Sequence, residues 1–387
     1  MADLKLNGIT PNGVGKIKLG SSNVQKIYNS STLVWPIAGD PADPYTPIYG
    51  TPRLITANDA VITLYDTSFN QLVPPNPFSS LPSTAYELAG VSDDLTYMVA
   101  CGSQFLFQNI KISQNGGSSF GDPFSGTFPT RWDFTMASKS GQVIVSAIPP
   151  PFAGDTPTTN ENWMLSVNGG ANFTKITFPG ILGVATVHGV AMSSGGKYIA
   201  LSFLGYSIAL GYRNYLFYSR DYGTTWLKGT TFGALENRRW KMLISGTGQY
   251  MAFIDVFNSS NSFYSLDYGA SFSSKSYNFG SSLYTNSRTI GAVMNQSGQY
   301  YIVAKPIGNQ IDYGDNYAAT MTSNALNVDG SAQNVRISNN GETQLWFDSG
   351  AGSPDYGISL NFGTTWTGIL NAPSEVDGGP LFLVDVS

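Results

Sequence analysis

Ser219-Arg-Asp221-Tyr-Gly223-Thr-Thr225-Trp226 and Ser265-Leu-Asp267-Tyr-Gly269-Ala-Ser271-Phe272 are two copies of a pattern that runs through most of the chain. Further copies are Ser113-Gln-Asn115-Gly-Gly117-Ser-Ser119-Phe120, Ser166-Val-Asn168-Gly-Gly170-Ala-Asn172-Phe173 and Ser359-Leu-Asn361-Phe-Gly363-Thr-Thr365-Trp366, with a decayed copy at Gln310-Ile-Asp312-Tyr-Gly314-Asp-Asn316-Tyr317. Their starts lie 53, 53, 46, 45 and 49 residues apart, the period of a four-stranded blade in a β-propeller. The chemistry is that of a tight reversal. Asp or Asn supplies an acceptor for turn N–H groups, Gly two residues later tolerates positive φ, and the Ser and Thr hydroxyls bond the local backbone. The closing aromatic anchors the turn in the blade.

The pattern resembles the Asp-box of sialidase-type repeats. In that family the box occupies the turn between the third and fourth strands of each blade, on the side away from the ligand. The resemblance therefore implies a structural role for Asn115, Asn168, Asp221, Asp267, Asp312 and Asn361, and argues against reading the three aspartates as catalytic carboxylates.

A second element falls between the copies: Met192-Ser-Ser-Gly-Gly196-Lys-Tyr198, Ile244-Ser-Gly-Thr-Gly248-Gln-Tyr250, Met294-Asn-Gln-Ser-Gly298-Gln-Tyr300 and Ile337-Ser-Asn-Asn-Gly341-Glu-Thr343, with looser copies at Met136 and Val91. Each joins one apolar strand to another through a tight turn. A blade is then strand A, glycine turn, strand B, variable loop, strand C, repeat turn, strand D. Six blades begin near Tyr86, Arg131, Thr186, Arg238, Arg288 and Ala332. Residues 53–73 supply strands B, C and D of another blade, and Pro380–Val386 is a spare strand that completes it. The expected fold is all-β: a seven-bladed propeller of four-stranded blades over 48–387, closed by the C-terminal strand, which removes the exposed edges of an open array.

Composition fits this. Of 387 residues, 43 are Gly, 21 Pro and 13% aromatic, as expected of a turn-rich β protein. Only 12% are charged and the net charge is −5, so no broad basic footprint exists to neutralise phosphates and nucleic acid is not an expected partner. The single cysteine, Cys101, excludes an intrachain disulfide. No signal-peptide pattern and no run of about 18 apolar residues occurs, so the expectation is synthesis in a cytoplasm without membrane insertion.

Residues 1–36 do not follow the repeat. They alternate as short strands, Leu4–Leu6, Val14–Leu19, Val24–Tyr28 and Thr32–Trp35, and residues 37–47 form a proline-rich linker. Lys16-Ile-Lys-Leu-Gly20-Ser, followed by Val24-Gln-Lys-Ile-Tyr28-Asn-Ser-Ser-Thr32-Leu-Val-Trp35-Pro, resembles the leader that opens many tailed-bacteriophage virion proteins, with Asn29-Ser30 where that pattern has Gly. The resemblance implies a virion component, tail- or capsid-associated, anchored on other virion proteins through 1–36 and holding the propeller outward.

Binding is expected on the face carrying the B–C and D–A loops, since loops on a rigid scaffold carry function. Phe152, Tyr206, Tyr212 and Tyr284 offer stacking surfaces for sugar rings of a host-surface glycan. Arg131, Arg238, Arg239, Arg288 and Arg336, at or near the starts of inner strands, offer bidentate donors to a carboxylate or sulfate. No catalytic constellation, cofactor motif or metal-ligand spacing appears, and lone His188 reads as a packed or channel-lining imidazole. The competing class is a polysaccharide-degrading hydrolase or lyase, for which paired carboxylates are needed. Candidates are Asp155 with Glu161, Glu236, and Asp122 with Asp133. A purely architectural decoration protein is the third reading.

Overall fold

The structure is a computed structural model. It describes residues 43–387 except 59, 75–77, 82–85, 103–109, 124–133, 148–162, 179, 182, 208–210, 229–239, 256–261, 276–291, 306–309, 316, 318–323, 328–333, 348–355, 370–380 and 387, and before these only 18–19, 22–23, 27–29 and 32–35. The chain divides into two compact units, Met1–Ala42 and Asp43–Ser387. In the first, Lys18–Leu19 pairs with Ser22–Asn23, and Ile27–Asn29 with Thr32–Trp35, both antiparallel. The strand expected at Leu4–Leu6 lies outside the described residues.

The second unit is a ring of seven antiparallel blades. Phe382–Val386 takes the innermost place of the first blade, beside Thr51–Asn58, with Phe382 opposite Ile55 and Val386 opposite Thr51; Val61–Tyr65 and Gln71–Leu72 complete that sheet. The later inner strands are Tyr86–Val91, Phe134–Ala137, Gly183–Met192, Trp240–Ile244, Ala292–Met294 and Asn334–Ile337. Among the described residues the second blade has three strands and, in place of a fourth, a bridge from Ile112 to Gly121.

The A–B turns explain how the blades tile. The first side chain of each turn accepts the N–H five residues on: Ser92 from Tyr97 at 2.8 Å, Ser193 from Tyr198 at 3.0 Å, Asn295 from Tyr300 at 3.0 Å. The residue three after it is in the left-handed region, Gly248 at φ 79° and Gly298 at 82°, with Leu95 at 60° the bulky exception. Glycine is required here for a second reason. A Cβ on Gly248 would overlap the Tyr198 ring of the preceding blade, and one on Gly298 or Gly341 would overlap Tyr250 or Tyr300. Each of these rings is then covered by the fourth residue of the next repeat turn: Tyr198 by Tyr268 with centroids 5.5 Å apart, Tyr250 by Tyr317 at 4.6 Å, and Tyr300 by Phe362 at 4.8 Å.

The repeat turns are built by hydrogen bonds. Ser265 Oγ donates to Asp267 at 2.8 Å and accepts the Gly269 N–H at 2.9 Å, while Asp267 accepts Ser271 N–H and Oγ–H at 2.9 and 2.6 Å. Ser113, Ser166, Ser219 and Ser359 head the same arrangement with Asn115, Asn168, Asp221 and Asn361. In all five, the serine ends strand C opposite the first residue of strand B, as Ser265 faces Met251.

In the sixth blade the residue at that place is Gly314, opposite Tyr301, and Gln310–Gly314 is strand throughout. Asp312 therefore sits mid-strand, opposite Val303 and Ala325, instead of in a turn. Tyr317, at φ 59° with its N–H on Gln299 O at 3.2 Å, matches Tyr222, Tyr268 and Phe362, whose N–H groups bond the A–B turns of their own blades. The turn thus starts four residues later than the sequence match and has lost its serine; Asp-Tyr-Gly fell in a strand by composition alone. The first blade carries a shorter equivalent that the pattern misses, in which Asp66 accepts Ser68 N–H at 2.8 Å and Asn70 N–H at 2.9 Å.

The A–B turns also ring the axis and bond to one another: Asp93 N–H to Lys139 O at 2.9 Å, Ser140 N–H to Ser194 O at 3.0 Å, Ser194 N–H to Gly246 O at 2.9 Å, Gln296 N–H to Asn339 O at 3.1 Å. Asn339 N–H then reaches the closing strand at Asp385 Oδ2, 2.7 Å. Bonds also cross the axis, from Lys139 Nζ to Asn339 Oδ1 at 2.6 Å and from Ser194 Oγ to Gln296 Oε1 at 2.6 Å.

Residues 43–48 seal this pole. Asp43 is buried and its Oδ2 accepts Ser193 Oγ–H at 2.5 Å, Gly195 N–H at 2.9 Å and Lys197 N–H at 3.1 Å, while Asp43 N–H donates to Thr247 O. Tyr45 donates its hydroxyl to Asp93 at 3.2 Å, and Ile48 O accepts from Asn339 Nδ2 at 2.8 Å. Residues 43–47, placed in the linker by composition, are integral to the ring.

Two outcomes follow for stability. Gly248→Ala should destabilise by roughly 2–4 kcal/mol, the left-handed penalty plus overpacking against Tyr198, as read by denaturant unfolding. Deleting Pro380–Ser387 should expose the edge of Thr51–Asn58 and yield an aggregating or protease-sensitive chain; a soluble monomer of unchanged Tm would contradict closure by that strand.

Candidate functional site

The two faces of the ring differ in chemistry. On the face of the A–B and repeat turns, connections are short and their polar groups are satisfied internally. Burial pushes the Asp221 carboxyl up, but bonds from Thr225 Oγ1 and N–H and from Ser219 Oγ outweigh it and hold the group below the usual carboxylate range. Asp267 is held down in the same way, by Ser271 and Ser265 with help from Arg220. Such saturated carboxylates are poorly suited to act as general acids.

The strand ends on the other face include those that the longest connections join, such as Ala147 with Trp163 and Lys275 with Ala292. Phe152, Arg131, Arg239 and Arg288 lie outside the described residues, as do Tyr284, Arg238, Asp133, Asp155, Glu161 and Glu236. Asp122, the remaining carboxylate candidate, is ion-paired with Lys111 at 2.6 Å beside the bridge of the second blade.

Tyr206 and Tyr212 are placed differently from expectation. Instead of lying on loops of that face, both belong to paired strands: Ile199–Ser207 pairs without a break against Gly211–Ser219, and Tyr206 stands directly opposite Tyr212. The reason lies in the flanking packing. Phe203 and Phe217 stack with centroids 5.8 Å apart, Phe178 lies 4.9 Å from Phe203, and a Cβ on Gly205 would press the Phe203 and Tyr215 rings at 3.0 Å. This aromatic cluster extends the sheet past the length that the repeat sets. Strand A of the same blade, Gly183–Met192, follows with register shifts at Val184/Thr186 and Val187/Gly189. His188 sits at the second, half-buried, its Nε2 2.7 Å from Asn214 Oδ1.

Arg336 is the described member of the arginine group. It is 9% exposed, its guanidinium stacks over Phe347 and Phe382 at 5.3 and 5.0 Å, and Nη1 donates to Val335 O at 2.9 Å. Burial lowers its pKa to about 10, so it stays charged at neutral pH. It lines a cavity of about 140 Å³ on the axis, to which all seven inner strands contribute, with apolar walls including Met136, Val190, Met242 and Val293 and a floor at Asp93, Lys139 and Ser194. Among the described residues no three His, Cys, Asp or Glu side chains gather to hold a metal ion.

Comparison with known proteins gives the fold and stops there. No protein-family model matches the chain, and no curated protein does. Among solved structures it is similar to a protein of unknown function from Desulfotomaculum acetoxidans, with 12% identity over 87% of this chain and 99% of that one and a TM-score of 0.52. It is also similar to the GH74 xyloglucanase of Xanthomonas campestris, with 11% identity over 88% of this chain and a TM-score of 0.51. The match covers 54% of the xyloglucanase, so this chain spans about half its length. YCF48 bound to D1 peptide aligns at 13% identity over 85% of this chain and 88% of that chain, with a TM-score of 0.47.

The turn carboxylates predict an acid dependence. Because Asp221 and Asp267 are held below the unfolded value, near 4, their stabilisation is complete above that value and is lost as pH falls through the folded one. The Asp221→Asn, Asp267→Asn variant copies the natural Asn115 and Asn361 turns, so its Tm should fall less than the parent's between neutral pH and about pH 3. Equal falls would show that these carboxylates play no part.

Proposed function

We propose that this chain is a bacteriophage virion structural protein, tail- or capsid-associated, in which residues 1–36 attach to other virion proteins and the propeller presents its long-loop face to a glycan on the host surface. The observation that carries this reading is the polarity of the ring. Its chain enters at the axis of the sealed face, through Asp43 and Tyr45, while the strand ends joined by the longest connections, such as Ala147 with Trp163, lie at the other end of the blades. A module held at one pole and variable at the other is suited to display. The leader-like stretch from Lys16 to Pro36 supplies the virion assignment, and the likeness of the 113–366 turns to Asp-box repeats supplies the propeller class. Low charge and abundant Tyr, Asn and Ser favour neutral, hydroxyl-rich ligands over polyanions.

Two truncations test the anchoring half. A chain starting at Asp43 should fold as a monomeric propeller yet be missing from particles when it replaces the full chain; normal incorporation would overturn the anchoring role. One starting at Thr51 lacks the seal of the pole and should melt at lower temperature than the Asp43 chain. Depolymerisation of host polysaccharide by the purified full chain would displace the binding reading in favour of a hydrolase or lyase.

A further inference from the structure

The residue two places before each A–B turn faces the blade that follows. A Cβ on Gly90 would meet Ala137, Ala191 packs with Met242, Leu243 with Met294, and Val293 with Val335. With Met136 of the third blade, these positions show that the fold asks for an aliphatic side chain here or none. In the seventh blade the residue is Arg336, whose guanidinium lies over Phe347 of its own blade and Phe382 of the closing strand. Its charge is not what joins one blade to the next. Among the described residues it has no carboxylate partner, and its hydrogen bond is the one from Nη1 to Val335 O. Burial alone shifts it, and it stays ionised at neutral pH. A buried charge without a counter-charge is costly, and this one keeps N–H donors unmatched while lining the axial cavity.

We propose that the axial cavity is a binding site for a small monocarboxylic acid with a short apolar body, its carboxylate held by Arg336. A guanidinium presents paired N–H donors that match a carboxylate. The rings of Phe347 and Phe382 hold it in place, so little freedom is lost when the acid arrives. The walls at Met136, Val190, Met242 and Val293 suit an alkyl chain. At about 140 Å³ the cavity is close to one of about 150 Å³ that holds benzene, which sets the ligand at roughly six to eight non-hydrogen atoms. A sugar acid does not suit it, because the polar groups of the floor are already engaged. Lys139 donates to Asn339, Ser194 donates to Gln296, and Asp93 accepts from Tyr45 and Asn339. Asp385, beside this floor, likewise has its own donor in Asn339 N–H. The site is thus distinct from the glycan contact proposed above, and neither reading depends on the other. Because Arg336 spans the seventh blade and the closing strand, a bound acid also steadies the seam of the ring.

The test titrates the full chain with sodium butyrate and sodium hexanoate by calorimetry, with hexanamide and glucuronate as controls. Both acids should bind one per chain and raise Tm, hexanoate several-fold more tightly than butyrate, while the neutral amide and the sugar acid should not bind. Arg336→Met, which copies Met136 of the third blade, should fold with a Tm within a few degrees of the parent and bind hexanoate more weakly by roughly tenfold or more. Should that variant fail to fold, the parent decides: crystals grown with 4-bromobutyrate should show the anomalous signal of bromine inside the axial cavity. Hexanamide or glucuronate binding as tightly as hexanoate, unchanged affinity in a folded Arg336→Met chain, or bromine found only outside the cavity overturns the assignment. So does a full chain that binds neither acid.

Discussion

The fit of one side chain between two neighbouring turns governs this ring. After each A–B turn a residue such as Tyr198, Tyr250 or Tyr300 projects toward the next blade, lodging against that blade's positive-φ glycine and beneath the fourth residue of its repeat turn. The two short motifs of the sequence are thus the two halves of one socket, filled by the blade before. Glycine meets two demands there at once, the left-handed backbone and the absence of a Cβ. The interaction passes from one blade to the next, so these blades are each completed by a neighbour.

Closure draws on different chemistry. The last A–B turn ends at Asn339, whose N–H is received by a side chain of the closing strand, Asp385, because the first blade has no A–B turn of its own to offer a carbonyl. Around this break the axis gathers cross-ring bonds and the segment 43–48, and buried Asp43, Asp93 and Asp385 all find donors. The sealed pole is polar, internally satisfied and held by many blades. The apolar cavity with buried Arg336 lies on the axis directly against these turns, floored by Asp93, Lys139 and Ser194.

The sequence by itself determined the blade. Turn chemistry is local: Ser, Asp or Asn, and Gly within eight residues specify a reversal wherever they occur in register, and the spacing of the reversals sets seven blades and the closing strand. Tertiary structure decided what depends on distant partners or on absent letters. Asp312-Tyr-Gly314 has the right letters, but the sheet register carries the turn four residues further, since pairing with Tyr301 fixes where strand C ends. The Asp66 turn has Leu64 in place of the leading serine and no glycine, and shows only through its bonds. Tyr206 and Tyr212 look like loop residues because Gly205 and Gly211 stand beside them, yet they are paired in a sheet next to the Phe203, Tyr215 and Phe217 cluster. Asp43 looks like linker because its partners lie 150 residues or more away. A periodic pattern reveals contacts that recur with the period; the plug at Asp43 and Tyr45 does not recur with it, and its bonds exist only after the ring has formed.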